Sequence, residues 1–310
     1  MNKNRNLMNM QLFAEGDNQN QSARSYSKDF KELLQAVFGG MSYFGDFFGG
    51  ELEAIDGITN NKVAFTVKTS DIPVVVGTDY SKDANTAFGT GTGKSSRFGN
   101  RTEVVYTDTD VPYSWGYTFH EGIDRHSVNN DFESAVADRL ELQAKAKVTA
   151  FNQHHGKFVS DSAGKAIASG VAAIDKDNVA KVFNELSKYF VDIQAIGTKV
   201  AKVTPDVYNA IVDSGLTVTS KNSDANVDEN TVMKFKGFAI EEVPTSLFQK
   251  NEVVYAHIAG VGKAFTGIET ARTIESEDFD GVALQGAGKA GEYILPDNKK
   301  AVAKVTVTGV

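Results

Sequence analysis

The stretch GTDYSKDANTAFGTGTGKSS, residues 77–96, decides how this chain folds, together with the strand-like runs on either side of it. Residues 63–67 and 102–106 are rich in β-branched and aromatic side chains, so both runs are predicted to be strands. The stretch between them is too polar and too rich in glycine to have a core of its own. Loops of this length inside a compact domain are usually functional or disordered. We therefore predict an extended loop that packs on a neighbouring subunit, which indicates an assembly protein rather than a catalyst.

A long amphipathic helix is predicted after this loop, from Asp131, its N-cap, to about Phe158. A row of residues at a four-residue step forms the apolar stripe of a helix packed along one side. The row consists of Phe132, Val136, Leu140, Ala144, Val148, Phe151 and His155. The charged residues, including Lys145 and Lys147, are predicted to lie mostly off the stripe. At 1.5 Å per residue the helix would be roughly 40 Å long, the length of a whole domain.

The composition limits the classes of protein that need to be considered. The chain has 310 residues, 41% hydrophobic and 23% charged, as expected of a globular protein with a sizeable core. Its net charge of -8 argues against a protein that coats nucleic acid with lysine and arginine. The absence of cysteine excludes disulfides, thiolate metal sites and cysteine nucleophiles. No apolar run approaches the roughly 20 residues that span a bilayer. Polar residues interrupt the basic start of the chain, so we expect a cytoplasmic protein without a signal peptide.

The first 50 residues are predicted to form an arm. Residues 16–27 are nearly all polar and are expected to be disordered, and a short amphipathic helix capped by Ser27 follows. Residues 39–50 are rich in glycine and contain four aromatic side chains, Tyr43, Phe44, Phe47 and Phe48. These aromatics either pack under the core of the chain itself or form a patch that docks on a neighbouring subunit.

The second half of the chain is predicted to be an α/β lobe of mixed topology. Residues 160–175 are small and polar and are predicted to be a linker or a short hairpin. A helix capped by Asp177 follows, then a strand at residues 198–203 and a helix with Thr204 as N-cap and Pro205 at its first position. The remaining predicted strands are residues 238–243, 253–258, 265–266 and 301–307.

Motifs for nucleotide binding and nucleophilic catalysis are incomplete. Residues 89–95, GTGTGKS, lack the glycine that a phosphate-binding loop requires five residues before Gly93, because that position is Phe88. No Gly-x-Ser-x-Gly turn is present for a serine nucleophile. We therefore expect no enzyme activity and no cofactor.

The histidines are spaced wrongly for a metal site. His120 and His126 are six residues apart, whereas a zinc-protease helix places its histidines four apart. His154 and His155 are adjacent, and on a helix they would point about 100° apart. We expect none of these four side chains to bind a metal.

The order of elements resembles that of the major capsid proteins of tailed bacteriophages, which have the Hong Kong 97-type fold. Residues 10–15, MQLFAE, are similar to the start of such coat proteins, and an extended loop precedes the long helix as it does in that family. Residues 200–208, VAKVTPDVY, resemble the strand and helix of the family's axial domain. Residues 279–282 and 300–305 are similar to its closing strands. The resemblance covers nearly the whole chain and depends on the order of elements more than on single motifs.

The resemblance implies an α+β fold with an N-terminal arm, an extended β-hairpin loop, a peripheral domain with a long spine helix, and an α/β axial domain. The implied boundaries are residues 1–50 for the arm, 51–115 for the extended loop and its flanking strands, 116–172 for the peripheral domain, 173–264 for the axial domain, and 265–310 for strands that return to both domains.

The resemblance also implies a function. The chain would assemble with itself into pentamers and hexamers of an icosahedral shell, made in the host bacterial cytoplasm and found in the virion. The shell would enclose double-stranded DNA without sequence-specific binding and would not contact a membrane. Only the arm, residues 1–50, precedes the extended loop and its flanking strands, which leaves too little room for a scaffolding segment, so we expect a separate scaffolding protein. A portal protein and head-decoration proteins are further expected partners.

The residues expected to contact neighbouring subunits lie in the glycine-rich segment 39–50 and in the extended loop. They are Phe44, Phe47, Phe48, Tyr80, Phe88, Lys94 and Arg97. Some members of the family form a covalent crosslink between a loop lysine and an asparagine of another subunit. Lys82 and Lys94 lie in the loop and Asn298 lies near the end of the chain, but the sequence identifies no carboxylate that would promote the reaction, and we expect no crosslink.

Two other classes remain open from the sequence. One is another self-assembling structural protein, such as a tail-tube subunit or an encapsulin-like compartment that shares the fold. The other is an α/β hydrolase or metal enzyme with an unrecognised site. The size of the purified particle separates these classes, because a shell is in the megadalton range and an enzyme of this length is not.

Overall fold

The computed structural model describes residues 42–50, 53–54, 63–70, 97–98, 103–128, 132–214, 225–226, 231–232 and 234–308, and the single residues 72, 74, 76, 80 and 82. The chain forms two compact units. One consists of Met1–Asp56 and Tyr113–Val310, and the other of Gly57–Pro112. The predicted polar arm, the short helix capped by Ser27 and the predicted cap Asp131 lie outside the described residues.

The predicted long helix is confirmed as α1, Phe132–Asp161. Its buried residues begin at Gln143, and from there on Ala144, Val148, Phe151 and His155 are buried as the stripe predicts. Phe132, Val136 and Leu140 are only partly buried. Lys147 was wrongly predicted to lie off the stripe: it is 3% exposed. It lies three residues after Ala144 and four before Phe151, so it shares their side of the helix.

A four-stranded sheet packs along α1 in the strand order β1-β12-β13-β4. Its strands are β1, Glu53–Ala54; β4, Trp115–Asp124; β12, Gly262–Glu275; and β13, Gly281–Ile294. β1 is parallel to β12, whereas β12, β13 and β4 are antiparallel to one another. The sequence predicted only fragments of β12 and β13 and did not predict β4.

Glycines explain why these long strands escaped prediction. Gly288 lies directly opposite Tyr117, and Gly291 lies directly opposite Phe265. A Cβ atom at either glycine would collide with the aromatic ring across from it. The rings occupy the space that a side chain would need, so glycine, unfavourable in an isolated strand, is required at these two positions.

A six-stranded mixed sheet has the order β5-β14-β11-β6-β10-β9. Its strands are β5, Lys165–Ala168; β6, Lys199–Val203; β9, Lys234–Phe235; β10, Phe238–Glu242; β11, Glu252–Ile258; and β14, Val302–Thr306. The predicted strands at 198–203, 238–243, 253–258 and 301–307 are confirmed within two residues. The predicted linker 160–175 is wrong in part, because β5 pairs in parallel with β14. A separate two-stranded ladder joins β7, Ala225–Asn226, to β8, Thr231–Val232.

Two helices cover the six-stranded sheet. They are α2, Val179–Asp192, and α3, Pro205–Asp213. Asn178, not the predicted Asp177, is the N-cap of α2, and the carboxylate of Asp175 accepts hydrogen bonds from the backbone N–H groups of Asp177 and Asn178. For α3 the predicted positions of the N-cap, Thr204, and of the first helical residue, Pro205, are confirmed, although the Thr204 hydroxyl makes no capping hydrogen bond. Buried side chains of both helices pack with those of β6, β11 and β14 into one core cluster.

A second core cluster contains the aromatic segment 42–50. Phe44, Phe47 and Phe48 are buried there with Tyr255 and Val302. The rings of Phe47 and Phe48 pack edge to face with their centroids 4.9 Å apart. Of the two interpretations offered for these aromatics, the structure agrees with packing under the chain's own core.

The unit Gly57–Pro112 contains an antiparallel ladder between β2, Val63–Thr69, and β3, Thr107–Pro112. The first strand is as predicted. The second prediction is wrong in position, because residues 103–106 are outside the ladder and the strand begins at Thr107. Ala64 and Val111 are the buried hydrophobic residues of this unit among those described.

Shortening a buried side chain of α1 to alanine should cost more stability than shortening a partly buried one. Phe151 is buried against Trp115 and Tyr117, so Phe151→Ala is expected to lower the free energy of unfolding by about 3–5 kcal/mol. Leu140, also on the predicted stripe, is only partly buried, so Leu140→Ala should cost clearly less. Urea unfolding of the two unassembled variants measures the difference. Equal losses would contradict the one-sided burial of α1.

Candidate assembly interface

Exposed apolar side chains are concentrated in the unit Gly57–Pro112. More than half of the exposed large hydrophobic residues of the described chain belong to it: Val74, Val76, Tyr80, Phe98, Val104, Val105 and Tyr106. Val74 is 92% exposed and Phe98 is 85% exposed. Soluble monomers rarely expose apolar side chains in such numbers on one segment, and such segments are characteristic of interaction surfaces.

The seven residues predicted to contact other subunits differ in their exposure, and two of them lie outside the described residues. Tyr80 and Phe98 are exposed and pack edge to face at a centroid distance of 5.1 Å, and Arg97 directly precedes Phe98 in the chain. Phe88 and Lys94 lie outside the described residues. The structure corrects the prediction for Phe44, Phe47 and Phe48. Their rings are buried in the chain's own core and are not available as an exposed docking patch. Apolar content alone does not distinguish a core loop from an interface loop.

A buried ion pair fastens α1 to the four-stranded sheet. Lys147 of α1 pairs with Glu269 of β12, and its ammonium group lies 4.4 Å from the centroid of the Tyr117 ring. The hydroxyl of Tyr117 donates a hydrogen bond of 2.8 Å to Glu269. Burial and the neighbouring carboxylate raise the pKa of Tyr117, so this hydroxyl stays protonated and continues to donate. Sequence reasoning missed this cluster because its members come from three distant segments.

A second cluster lies further along the same joint. The indole N–H of Trp115 and the hydroxyl of Ser114 donate to Glu292 at 2.9 and 3.0 Å, and His155 approaches the same carboxylate at 3.6 Å. Burial raises the pKa of Glu292 and lowers the pKa of His155 to about 3. The ring of His154 stacks on Trp115 at 3.9 Å. The two adjacent histidines therefore have separate structural environments.

Hydrogen bonds to the edge strand β4 hold the first half of α1 on the four-stranded sheet. The guanidinium of Arg139 donates to Glu121 of β4, and the side-chain amide of Gln143 donates to the same carboxylate at 2.6 Å. The hydrogen bond from Arg139 lowers the pKa of Glu121. At the turn between β12 and β13, Arg125 pairs with Glu275 and Asp280 at 2.8 and 3.0 Å. Arg125 thus balances two of the carboxylates at this turn.

A further cluster of charged side chains lies beside the second core cluster. Lys202 of β6 is buried and pairs with Asp46 at 2.6 Å and with Glu241. His257, fully buried, lies 3.7 Å from Asp46, and burial lowers its pKa to about 4. These contacts tie the segment 42–50 to the six-stranded sheet.

The end of α1 is tied to the same sheet through Glu252. Its carboxylate accepts hydrogen bonds from Ser160 at 3.0 Å, from Lys304 at 2.7 Å and from the hydroxyl of Tyr255 at 2.6 Å. The pKa of Tyr255 is raised by burial and by this carboxylate. A helix, two strands and a buried charge are thereby joined in one network.

These ionisable groups are positioned to hold elements together. In each cluster a charge from one element is matched by charge or hydrogen bonds from another, which favours a fixed arrangement of helix and sheets. Within the described residues, no group of three or more histidine, aspartate or glutamate side chains could hold a metal ion. The same part of the chain has no helix that is both long and apolar enough to cross a membrane.

Because two histidines are buried in their neutral form, the free energy of unfolding is expected to fall at acid pH. His155 and His257 have folded-state pKa values of about 3 and about 4, below the value of 6.5 for an unfolded chain. As the pH falls below 6.5, the unfolded chain takes up these protons first, so the free energy of unfolding should fall by up to about 1.4 kcal/mol per pH unit for each histidine. The loss should end near the folded-state values. The raised pKa of Glu292 acts in the opposite direction.

His155→Phe removes one of these two titrations in surroundings that already contain Phe48 and Phe151. Urea unfolding between about pH 6.5 and pH 4 should then show a slope shallower by roughly 1 kcal/mol per pH unit. Val159→Ala, which shortens a buried side chain of the same helix that does not titrate, is the control and should lower the stability without changing the slope. An unchanged slope in His155→Phe would show that His155 is not buried in its neutral form.

No family model matches the sequence, and no curated protein matches it. Solved structures do match. The capsid of the cyanophage P-SCSP1u has a TM-score of 0.63 at 11% identity and covers 84% of this chain and 88% of its own. The mature capsid of bacteriophage PhiM1 has a TM-score of 0.61 at 11% identity, covering 87% and 88%. A virus-like particle from Pyrococcus furiosus has a TM-score of 0.51 at 14% identity, covering 90% and 99%.

This likeness extends over at least 84% of the chain in each of the three comparisons. The chain therefore has a capsid fold of the Hong Kong 97 type, with mixed α and β structure, as the sequence predicted.

Proposed function

We propose that this chain is the major capsid protein of a tailed bacteriophage and that it assembles with itself into an icosahedral shell around double-stranded DNA. The observation that carries the proposal is the fold, which matches two phage capsid structures with TM-scores of 0.63 and 0.61. The exposed apolar side chains of Gly57–Pro112 support it independently, because they require a partner surface that a shell supplies.

The clusters along α1 fit a structural role. A shell subunit must transmit load from one neighbour to the next, and buried matched charges favour one fixed geometry of helix and sheet. We assign residues 51–115 to the extended loop and its flanking strands, 116–172 to the peripheral domain and 173–264 to the axial domain, with 1–50 as the arm and 265–310 as the returning strands. The role is structural rather than enzymatic.

The charge of the chain fits the proposed contents of the shell. Packaged DNA must slide during filling, and binding of phosphates independent of sequence increases with the number of lysine and arginine contacts. With a net charge of -8 the chain does not offer a generally basic surface. Many weak contacts between subunits, each repeated across the shell, would then provide its stability through multivalency. A separate scaffolding protein, a portal and head-decoration proteins are the partners we propose beyond the chain itself.

Electron microscopy of the purified chain, expressed with and without its neighbouring genes, tests the proposal. We expect capsomers or closed shells, and no turnover of substrates. Homogeneous monomers under all conditions would overturn the capsid assignment and reopen the enzyme alternative. An encapsulin-like compartment, the alternative that shares the fold, would form shells that contain protein cargo instead of DNA.

A further inference from the structure

Both buried histidines of the chain lie under the same short segment. Residues 42–50, the strap, contain Phe47 and Phe48 side by side. The ring of Phe47 packs edge to face on His257 with a centroid distance of 5.0 Å. The ring of Phe48 packs on His155 with a centroid distance of 4.5 Å. Each of two successive phenylalanines therefore covers one buried histidine.

His257 is fully buried on β11 and is held as a neutral ring. Its Nδ1 lies 3.2 Å from the backbone oxygen of Ile258, and because a carbonyl only accepts, Nδ1 carries the proton. Nε2 then faces the carboxylate of Asp46 at 3.7 Å, and no described side chain donates to it. The other charge facing the ring is Lys202 of β6, which pairs with Asp46 and with Glu241 of β10. Burial, opposed by Asp46 and reinforced by Lys202, lowers the pKa of His257 to about 4.

His155 of α1 is in the same condition on the other side of the strap. It is 1% exposed, and the titratable groups that face it are Glu292 of β13, at 3.6 Å, and its neighbour His154. Burial, and to a lesser degree His154, lowers the pKa of His155 to about 3. Glu292 is held by hydrogen bonds from Ser114 and Trp115, which do not belong to the strap. Opening of the strap would therefore change the surroundings of His155 and leave those of Glu292 in place.

The strap itself is attached by few contacts of its backbone. It contains no helix and no strand. The backbone N–H groups of Gly260 and Gly262 donate to the carbonyl oxygens of Asp46 and Phe47 at 2.7 and 3.0 Å. At its end, Gly49 and Gly50 have φ angles of 84° and 90°, which glycine adopts without strain and which suit a hinge. A segment with so few backbone contacts opens at a lower free energy than the core strands do.

We propose that the strap is released by acid, because its opening lets His155 and His257 take up protons, and that its release frees residues 1–50 from the core of the subunit. While the strap is closed, the two rings resist protonation down to pKa values of about 3 and about 4. Once Phe47 and Phe48 lift away, water reaches both rings and their pKa values return to about 6.5. The open form therefore binds more protons than the closed form below about pH 6.5, and acid favours it. Release is a property of the single subunit and does not depend on the proposed shell.

Hydrogen exchange of the unassembled full chain, measured between about pH 6.5 and pH 4.5, tests this release. The amides of Gly260 and Gly262 report on it, because both donate to the backbone of the strap. After division by the intrinsic exchange rate at each pH, their protection should fall roughly thirtyfold for each histidine and about a thousandfold for both together. The amides of the central strand β6 are the internal reference and should stay better protected at every pH. Protection of the two glycine amides that does not change with pH, or that equals that of β6 throughout, would overturn the inference.

Variants of the two histidines provide a second measurement. His257→Asn keeps a side-chain N–H group for the backbone oxygen of Ile258 and removes one titration, and His155→Phe removes the other. The fall in protection should shrink to roughly thirtyfold in each single variant and disappear in the double variant. Val302→Ala is the matched control, because it shortens a buried neighbour of His257 that does not titrate, and it should lower protection equally at all pH values. A fall that is undiminished in both single variants would refute the role of the histidines, even if the double variant does not fold.

Discussion

A chain that lacks residues 79–96 is expected to fold as a subunit and to lose the ability to form shells. The two core clusters are built from side chains at positions 44–48 and 159–305, outside the deleted segment, so the cooperative unfolding of the subunit should be preserved. The deleted loop belongs to the unit that carries most of the exposed apolar side chains. If these side chains meet a neighbouring subunit, shortening the loop removes contacts that are repeated throughout the shell. Because contacts in a multivalent assembly act together, the loss should be nearly complete.

Negative-stain electron microscopy and sedimentation measure assembly, and circular dichroism with thermal unfolding measures the fold. A variant in which residues 79–96 are replaced by a glycine-serine segment of equal length is the matched control for loop length. If it assembles normally while the deletion does not, the loop acts by its reach and its own sequence is unimportant. Normal shells from the deletion itself would remove the reason for assigning this loop to an interface.

Glu269→Ala is expected to destabilise the subunit by about 3–5 kcal/mol, because it leaves the ammonium group of Lys147 buried without its counter-charge. The Lys147 side chain is 2% exposed, so water cannot readily replace the lost carboxylate. Tyr117 loses its hydrogen-bond acceptor in the same variant. Lys147→Met combined with Glu269→Leu removes both charges together, and this double variant should recover most of the loss because apolar side chains suit the same space.

The same helix provides a matched control. Lys145 and Glu141 form an exposed pair at 2.6 Å, one turn apart on α1. Glu141→Ala removes a partner of similar chemistry at the surface, where the cost should be below about 1 kcal/mol. Urea unfolding of the unassembled variants gives both values. Similar losses for Glu141→Ala and Glu269→Ala would mean that the joint between α1 and β12 is open to water.

The fold class and several elements could be predicted because their signals are local. The helix α1, Phe132–Asp161, follows from a repeated apolar step, and Pro205 marks the start of α3 because proline is favoured at the first helical position. The strand β6 follows from its β-branched residues. The polar loop at 77–96 predicted an assembly protein because its composition forbids a core wherever it lies. The order of these elements was enough to identify the capsid fold.

Tertiary structure decided the features that depend on what lies opposite a residue. The strand β13 contains four glycines, and Gly288 is compatible with a strand only because the ring of Tyr117 lies across from it. Lys147 is buried because Glu269, more than 100 residues away, supplies the opposite charge. Phe48 packs in the core and Phe98 remains exposed, although each is a phenylalanine followed directly by glycine. A sequence determines the chemistry of each side chain and its local backbone preference. Burial and pairing depend on distant segments, and they become fixed only when those segments meet in the fold.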